Sequence, residues 1–353
     1  MARGWLAVGL SMFLAGCGTP NAFWIQQLTS VTPAPTGTPN SVIAFGRFEF
    51  VSVQGTGQIF TYNISSGTQA PVGKPYATPC ADPSGMVIAN IAGNNVMAVA
   101  CYDTGSLLTL SVNADGSLSA LGSVGGLPMP FPGILLDGTD VLVPLFGGAS
   151  GNGGIAKVSI ATPASPAIAG MVTLSSPASG GVANAEYLAL ANGFVYVTAG
   201  SESNPLGSSS TVQVVNEATL ALVGSPLVVP HSPQQIAISG NVAYVTLFDA
   251  AELVAVDIAN PASLQTLGTL SLAVGNQGCH PVPVAVNGGY AYVGCYAEGL
   301  IEQVDISDPA QMGVSRNIPE ISSPQRMVLS GDDLLVTDGS SGGKVYQIDF
   351  NEF

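Results

Sequence analysis

The residues best able to do chemistry recur at one kind of place in the chain. His231 and His280, its two histidines, sit in PHSPQQIAI and CHPVPVAV, each just before a β-rich run, and Ser323-Pro324 and Asp82-Pro83 fill the same slot elsewhere. Loops after a neighbouring β-rich run carry Tyr102, Asp103, Asp249, Glu252, Tyr296, Glu298 and Asp338, while Gln235 and Arg326 follow the X-Pro slots. A ring of His, Asp, Glu, Tyr and Arg could hold a ligand or a cation. His280 with Glu298 and Asp338 could supply a base and carboxylate ligands for metal-assisted ester opening, but only if their loops converge. The plain alternative is that X-Pro is a turn device and that acidic loop residues are solvated.

Other signals are weaker. Asn113-Ala114-Asp115-Gly116 reads as a hairpin turn without the ligand ladder of a calcium loop. Gly151-Asn152-Gly153-Gly154 opens a strand and not a helix, so it cradles no phosphate. No G-x-S-x-G elbow occurs. Asp257 and Asp305 share one slot, each shortly before a Pro, and are expected to cap turns. Catalytic and metal-binding residues therefore stay unassigned, and no cofactor is expected beyond a divalent cation.

The elements that must position these groups are strands. Gly (44) and Pro (25) make up about a fifth of 353 residues, and only 8% are charged, which disfavours long helices. Apolar residues reach 47%, too many for a disordered chain and enough for a large core. Seven Lys and Arg against 22 Asp and Glu leave a net charge of −15, which excludes nucleic acid as a partner and disfavours an anionic lipid surface. A sugar, a cation or a protein stays open.

The N-terminus carries an address. Arg3 precedes an apolar run from Trp5 to about Ala15, too short to span a bilayer and shaped as a secretory signal. The run ends in Leu14-Ala15-Gly16-Cys17, which resembles the lipobox of bacterial lipoproteins. That resemblance implies cleavage after residue 16, a diacylglycerol on Cys17 and a membrane-anchored protein. Loss of Arg3 would move the net charge from −15 to −16. Gly18 in place of an acidic residue favours the outer membrane or surface over the inner membrane. Residues 17–41, ending in the Thr/Pro-rich stretch TSVTPAPTGTPNS, read as a spacer that could include one strand. Mean hydropathy is +0.43, yet no later run reads as a membrane helix, and the pattern around Asp349 and Asn351 argues against a membrane barrel.

Residues 42–353 are organised by a repeat. The strands EFVSV, VMAVAC, DVLVPLF, FVYVTA, VAYVTL, YAYVGC and LLVTD place Val51, Val99, Val143, Val197, Val245, Val293 and Val336 at spacings of 48, 44, 54, 48, 48 and 43. Each is followed by a loop and a second strand, and several follow a third across Gly turns such as Gly240-Asn241 and Gly288-Gly289. Seven such units predict an all-β, seven-bladed β-propeller with four-stranded antiparallel blades, because one blade has two apolar faces and covers neither alone. The last unit ends one strand short, so an N-terminal strand at FWIQQL (23–28) or just after is expected to close the ring.

Units three, five and six are similar to LVIVD repeats of bacterial surface and periplasmic propellers, on GGIAKVSIATPASP (153–166), AYVTLFDAAELVAVDIANPAS (243–263) and AYVGCYAEGLIEQVDISDPAQ (291–311). Unit two, LLTLSVNADGSLSALGSV (107–124), resembles lactonase-type propellers, and unit five is close to the YVTN style. These motifs specify blades and not chemistry.

Besides Cys17, the chain has Cys80, Cys101, Cys279 and Cys295. Cys80 and Cys279 precede the first strand of their units, and Cys101 and Cys295 end the second. Antiparallel neighbours bring those points together, so the pairing Cys80–Cys101 and Cys279–Cys295 is expected. A zinc site would want C-x-x-C spacing, which is absent.

Two functions follow as expectations. The first is an exported, lipid-anchored, monomeric propeller at the cell envelope that binds a protein or glycan at one mouth of its channel without catalysis. The second is a lactonase-like or other hydrolase built on the mouth residues, with a divalent cation.

Overall fold

The computed structural model describes residues 24–351 apart from 32, 34–35, 67, 148–150, 177–181, 201–209, 231, 275–276 and 332. Cys17 and His231 lie outside the described residues, as does the proposed signal segment. No helix among the described residues is long and apolar enough to cross a membrane.

Seven antiparallel sheets form the blades of a propeller. The inner strands, in order, are Thr38–Phe45, Pro83–Ile91, Leu135–Asp137, Asn184–Ala191, Pro233–Ser239, Pro281–Asn287 and Pro324–Ser330. The second strands carry the repeat's valines; Val51, Val99, Val143, Val197, Val245, Val293 and Val336 are all fully buried. Tight turns join inner to second strands. In blades 5 to 7 these turns place Gly240, Gly288 and Gly331 at φ near +60°, backbone that glycine adopts without a Cβ penalty.

The ring is closed by the N-terminus. Trp24–Val31 pairs antiparallel with Val345–Asn351 and becomes the outer strand of blade 7. This strand lies within the segment read as spacer, and the first inner strand begins at Thr38, ahead of residue 42. Blade 1 departs from the regular pattern. Its outer edge is two short pieces, Ala70–Pro71 and Tyr76–Ala77, because Pro71 and Pro75 have no N–H to give a ladder.

The core is distributed between blades. Seven apolar clusters each bridge two neighbouring blades, including one of Val42, Val51, Val53 and Tyr62 from blade 1 with Leu335 and Val345 from blade 7. Tyr196, Tyr244 and Tyr292, each one residue before the repeat valine, are fully buried in three successive interfaces. The Tyr196 hydroxyl donates to the Ile258 carbonyl of the next blade (3.3 Å).

The repeat's acids do structural work. Asp257 Oδ1 accepts from the Ala259 N–H and Asp305 Oδ1 from the Ser307 N–H, both at 2.9 Å, which tightens the turn before each Pro-Ala. Disulfides join Cys80 to Cys101 and Cys279 to Cys295, tying each inner-strand entry to the end of its second strand.

Candidate functional site at the channel mouth

One irregularity recurs around the ring and builds the site. In blades 1, 2, 4, 5, 6 and 7 the ladder between inner and second strands slips at the same point, opposite the residue that follows the repeat valine. The slip is a β-bulge, in which two inner-strand residues face one on the partner. It follows the Pro in TPNS, DPSG, SPQQ, HPVP and SPQR. In blade 3 the inner strand is short, and the isolated bridge Pro130–Leu145 stands at the equivalent place. Backbone carbonyls freed by the bulges are taken up by the preceding blade: Thr198 Oγ1 donates to the Gln234 carbonyl (2.7 Å) and Thr246 Oγ1 to the Val282 carbonyl (2.8 Å).

The bulge pairs are Asn40-Ser41, Ser84-Gly85, Glu186-Tyr187, Gln234-Gln235, Val282-Pro283 and Gln325-Arg326. They turn side chains into the channel. On blades 3 to 7, residues from the bulges and from the loops after the second strands enclose a cavity of about 410 Å³. Its aromatic walls are Phe131, Tyr187, Phe248 and Tyr296, and its polar lining includes Gln234, Asp249, Gln325 and Arg326. Phe131 packs edge-on against Tyr187, with ring centroids 6.2 Å apart. The backbone entering this mouth is left-handed at Met129, Ser232 and Ser323 (φ 42°, 42° and 35°), each immediately before the Pro that starts an inner segment. Such non-glycine positions are costly and are kept where surrounding structure holds them.

Arg326 is the cation of this cavity. Its guanidinium lies over the Tyr187 ring at 4.7 Å, and one terminal nitrogen donates to the Gln325 carbonyl (2.9 Å). Part of the side chain is reachable along the channel, but protein surrounds it, and lost hydration lowers its pKa to about 9 while Glu186 opposes the fall. It is a cation at neutral pH. Three polar atoms of the lining are buried without a hydrogen-bond partner: Arg326 Nε, the Tyr187 hydroxyl and Gln325 Oε1. Gly339 leaves the room for this arrangement, since a Cβ there would stand 2.6 Å from Gln325 Oε1 and 2.7 Å from the Tyr296 ring.

The residues singled out in the sequence distribute as follows. Tyr296, Asp249 and Arg326 line the cavity. Asp249 Oδ2 also accepts from the Ser232 hydroxyl. His280 and Glu298 form a pair at the rim: Nδ1 to Oε1 is 2.9 Å, and Glu298 Oε2 accepts the His280 backbone N–H at 3.0 Å. The His280 ring rests against Phe248, with centroids 5.1 Å apart. Gln235 serves the backbone instead, accepting from the Val284 N–H (3.3 Å), and its neighbour Gln234 takes the place on the cavity wall. Tyr102 turns its hydroxyl to Met129 Sδ (3.5 Å). Asp103 accepts the Ala81 and Asp82 N–H groups, and Asp338 caps Ser340.

The trio His280, Glu298 and Asp338 does not converge as a set of metal ligands. Among the described residues, three candidate ligand atoms meet within 4.8 Å of one another at Cys279, Cys295 and Glu302, and there both sulfurs are committed to the disulfide.

Sequence reasoning missed Tyr187, Gln325, Phe131 and Phe248. The Pro-x-x-apolar spacing that marks each bulge was the available signal, and it would have pointed to Tyr187's neighbours in the other blades.

Comparison with known proteins agrees with the fold. The chain is a seven-bladed β-propeller, and the LVIVD repeat family model matches residues 232–270 and 282–318, which are blades 5 and 6. No curated protein matches the sequence. Among solved structures, virginiamycin B lyase from Staphylococcus aureus is 11% identical with a TM-score of 0.65, over 92% of this chain and 99% of that one. BamB from Moraxella catarrhalis is 13% identical with a TM-score of 0.55, over 89% and 83%. A candidate 6-phosphogluconolactonase from Bacteroides fragilis NCTC 9343 is 13% identical with a TM-score of 0.62, over 88% and 87%. At these identities the likeness is one of fold.

Proposed function

We propose that this protein is a lipid-anchored binding propeller of the cell envelope, which presents the mouth cavity to a glycan or protein ligand and does no chemistry on it. The observation that carries the reading is the convergence of four aromatic rings, one guanidinium and two glutamines from five blades on one cavity. Binding sites combine apolar walls with a few placed polar groups in this way. Among the described residues the polar lining consists of donors and acceptors, and the Ser232 hydroxyl donates to Asp249.

The anchor follows from Leu14-Ala15-Gly16-Cys17. Mass spectrometry of the native N-terminus should find diacylglycerol on Cys17, and Cys17→Ser should leave the membrane fraction. A Cys17→Ser protein that still sediments with membranes refutes the anchor. For the mouth, a ligand bound by the full chain should be lost on Tyr296→Ala while the melting temperature changes little; a ligand retained by this variant binds elsewhere.

A second reading, a lactonase-like hydrolase, draws on the His280–Glu298 pair at the rim. A carboxylate that orients an imidazole is one way to hold a general base. Turnover of a lactone with added divalent cation, abolished by His280→Ala, would favour it over pure binding.

A further inference from the structure

We propose that the mouth cavity is a site for a sugar acid: a saccharide ring whose carboxylate pairs with Arg326 and whose neighbouring hydroxyl donates to Gln325. This rests on the binding reading above and gives it a ligand class.

The three unpartnered atoms define the chemistry. Arg326 Nε is a donor, the Tyr187 hydroxyl can donate, and Gln325 Oε1 can only accept. All three belong to residues lining the same cavity. Buried polar atoms without partners are few in native proteins, and three beside one cavity match a ligand that supplies two acceptors and one donor once small side-chain shifts expose them. A carboxylate supplies the acceptors in the planar form that a guanidinium edge matches. Tyr187 covers the face of the guanidinium and leaves its edge for an in-plane partner. Arg326 is in none of the salt bridges found among the described residues, and Glu186 acts on its charge through space. A hydroxyl next to that carboxylate answers Gln325.

The walls select the rest of the ligand. Phe131, Phe248 and Tyr296 offer apolar ring surface, which suits the C–H face of a sugar ring carrying hydroxyls at its edge. A volume of about 410 Å³ is within the range of small-ligand pockets. The net charge of −15 repels anions from a distance, so the pairing must be short-range, and added salt should speed association. A free uronate and the terminal residue of an acidic polysaccharide share this chemistry.

The test is calorimetry on the full chain in detergent with D-glucuronate, D-glucose, cyclohexanecarboxylate, an oligogalacturonate and N-acetylglutamate. Glucuronate should bind at least about tenfold more tightly than glucose, as expected of a charge-assisted pair, and more tightly than cyclohexanecarboxylate, which lacks the hydroxyl. Arg326→Gln should remove that preference and Arg326→Lys should restore part of it. If Arg326→Gln fails to fold, Gln325→Glu tests the same claim, since a carboxylate in place of the acceptor should weaken glucuronate and leave glucose unchanged. Oligogalacturonate binding above glucuronate identifies a polysaccharide end as the source; equal binding identifies the free acid. The proposal is overturned if glucose matches glucuronate, if N-acetylglutamate binds better than either, or if Gln325→Glu and Tyr187→Phe leave glucuronate affinity unchanged. In those cases a ligand still lost on Tyr296→Ala keeps the binding reading alive. If no ligand responds to Tyr296→Ala, both fall.

Discussion

Gly268, on the outer strand of blade 5, lies against Pro309 of blade 6 so closely that a Cβ would stand 2.3 Å from the Pro309 carbonyl oxygen. The contact is part of a series. Gly122 meets Pro163 and Ala164 at 2.7 Å in the same sense, and Gly224 meets Ala262 at 2.3 Å. The Pro-Ala element of each repeat therefore has a structural purpose: it is the turn that one blade seats on the outer-strand glycine of the blade before it. In blade 3 the seat is reinforced by Thr109 Oγ1, which donates to the Pro163 carbonyl (2.5 Å).

Gly268→Ala should therefore destabilise the protein by roughly 1–3 kcal/mol, the usual cost of overpacking. Thermal unfolding should show a drop of several degrees. Gly313→Ala, where nothing stands within 4 Å of the added methyl, is the matched control and should change little.

Glu302 gives the protein a pH-dependent stability. It is fully buried on the third strand of blade 6, neither carboxylate oxygen has a hydrogen-bond partner, and burial, with some help from Glu298, raises its pKa to about 7. The folded state thus holds a proton that the unfolded chain releases near its ordinary value of 4.5. Stability from this group is full below about pH 4.5 and is lost as pH rises through about 7. Glu49, buried and also raised to about 7, acts in the same direction. Glu302→Gln should raise the melting temperature at pH 8 and leave it nearly unchanged at pH 4.5. Equal effects at both pH values would show that the charge is not the cause.

The two disulfides should contribute on the order of 3 kcal/mol each by the chain-entropy account, for sequence separations of 21 and 16. Non-reducing peptide mapping should recover Cys80 with Cys101 and Cys279 with Cys295. Reduction should lower the melting temperature. Because Cys279 and Cys295 adjoin His280 and Tyr296, Cys279→Ser with Cys295→Ser should also weaken ligand binding at the mouth more than the blade 2 pair does.

Deletion of residues 18–31 should open the ring. The strand Trp24–Val31 supplies the whole outer ladder of blade 7. Without it Val345–Asn351 becomes an exposed edge, and the urea transition should shift to lower concentration and lose cooperativity. An unchanged midpoint would mean that the strand is dispensable.

The strand count, the blade number, the closing role of the N-terminus and the disulfide pairing were legible in the chain, because each rests on periodic spacing. Alternating Val, Tyr and Ile at intervals near 45 residues can bury two faces only by stacking blades, and cysteines in equivalent slots of two repeats must meet in the same way. The site was legible only as a ring of candidate loops. Which of Gln234 and Gln235 faces the cavity depends on a bulge that turns one residue inward and its neighbour toward the backbone, and no residue type announces that turn. Glu298 reads as one carboxylate of a possible set with His280 and Asp338, and only the fold shows that it pairs with His280. Arg326 reads as one candidate in the mouth ring, and only the closure of seven blades sets it over Tyr187, 139 residues earlier in the chain. Periodicity is a property of the chain, so sequence determines it; the meeting of side chains from different blades is a property of the closed ring, so only tertiary structure decides it.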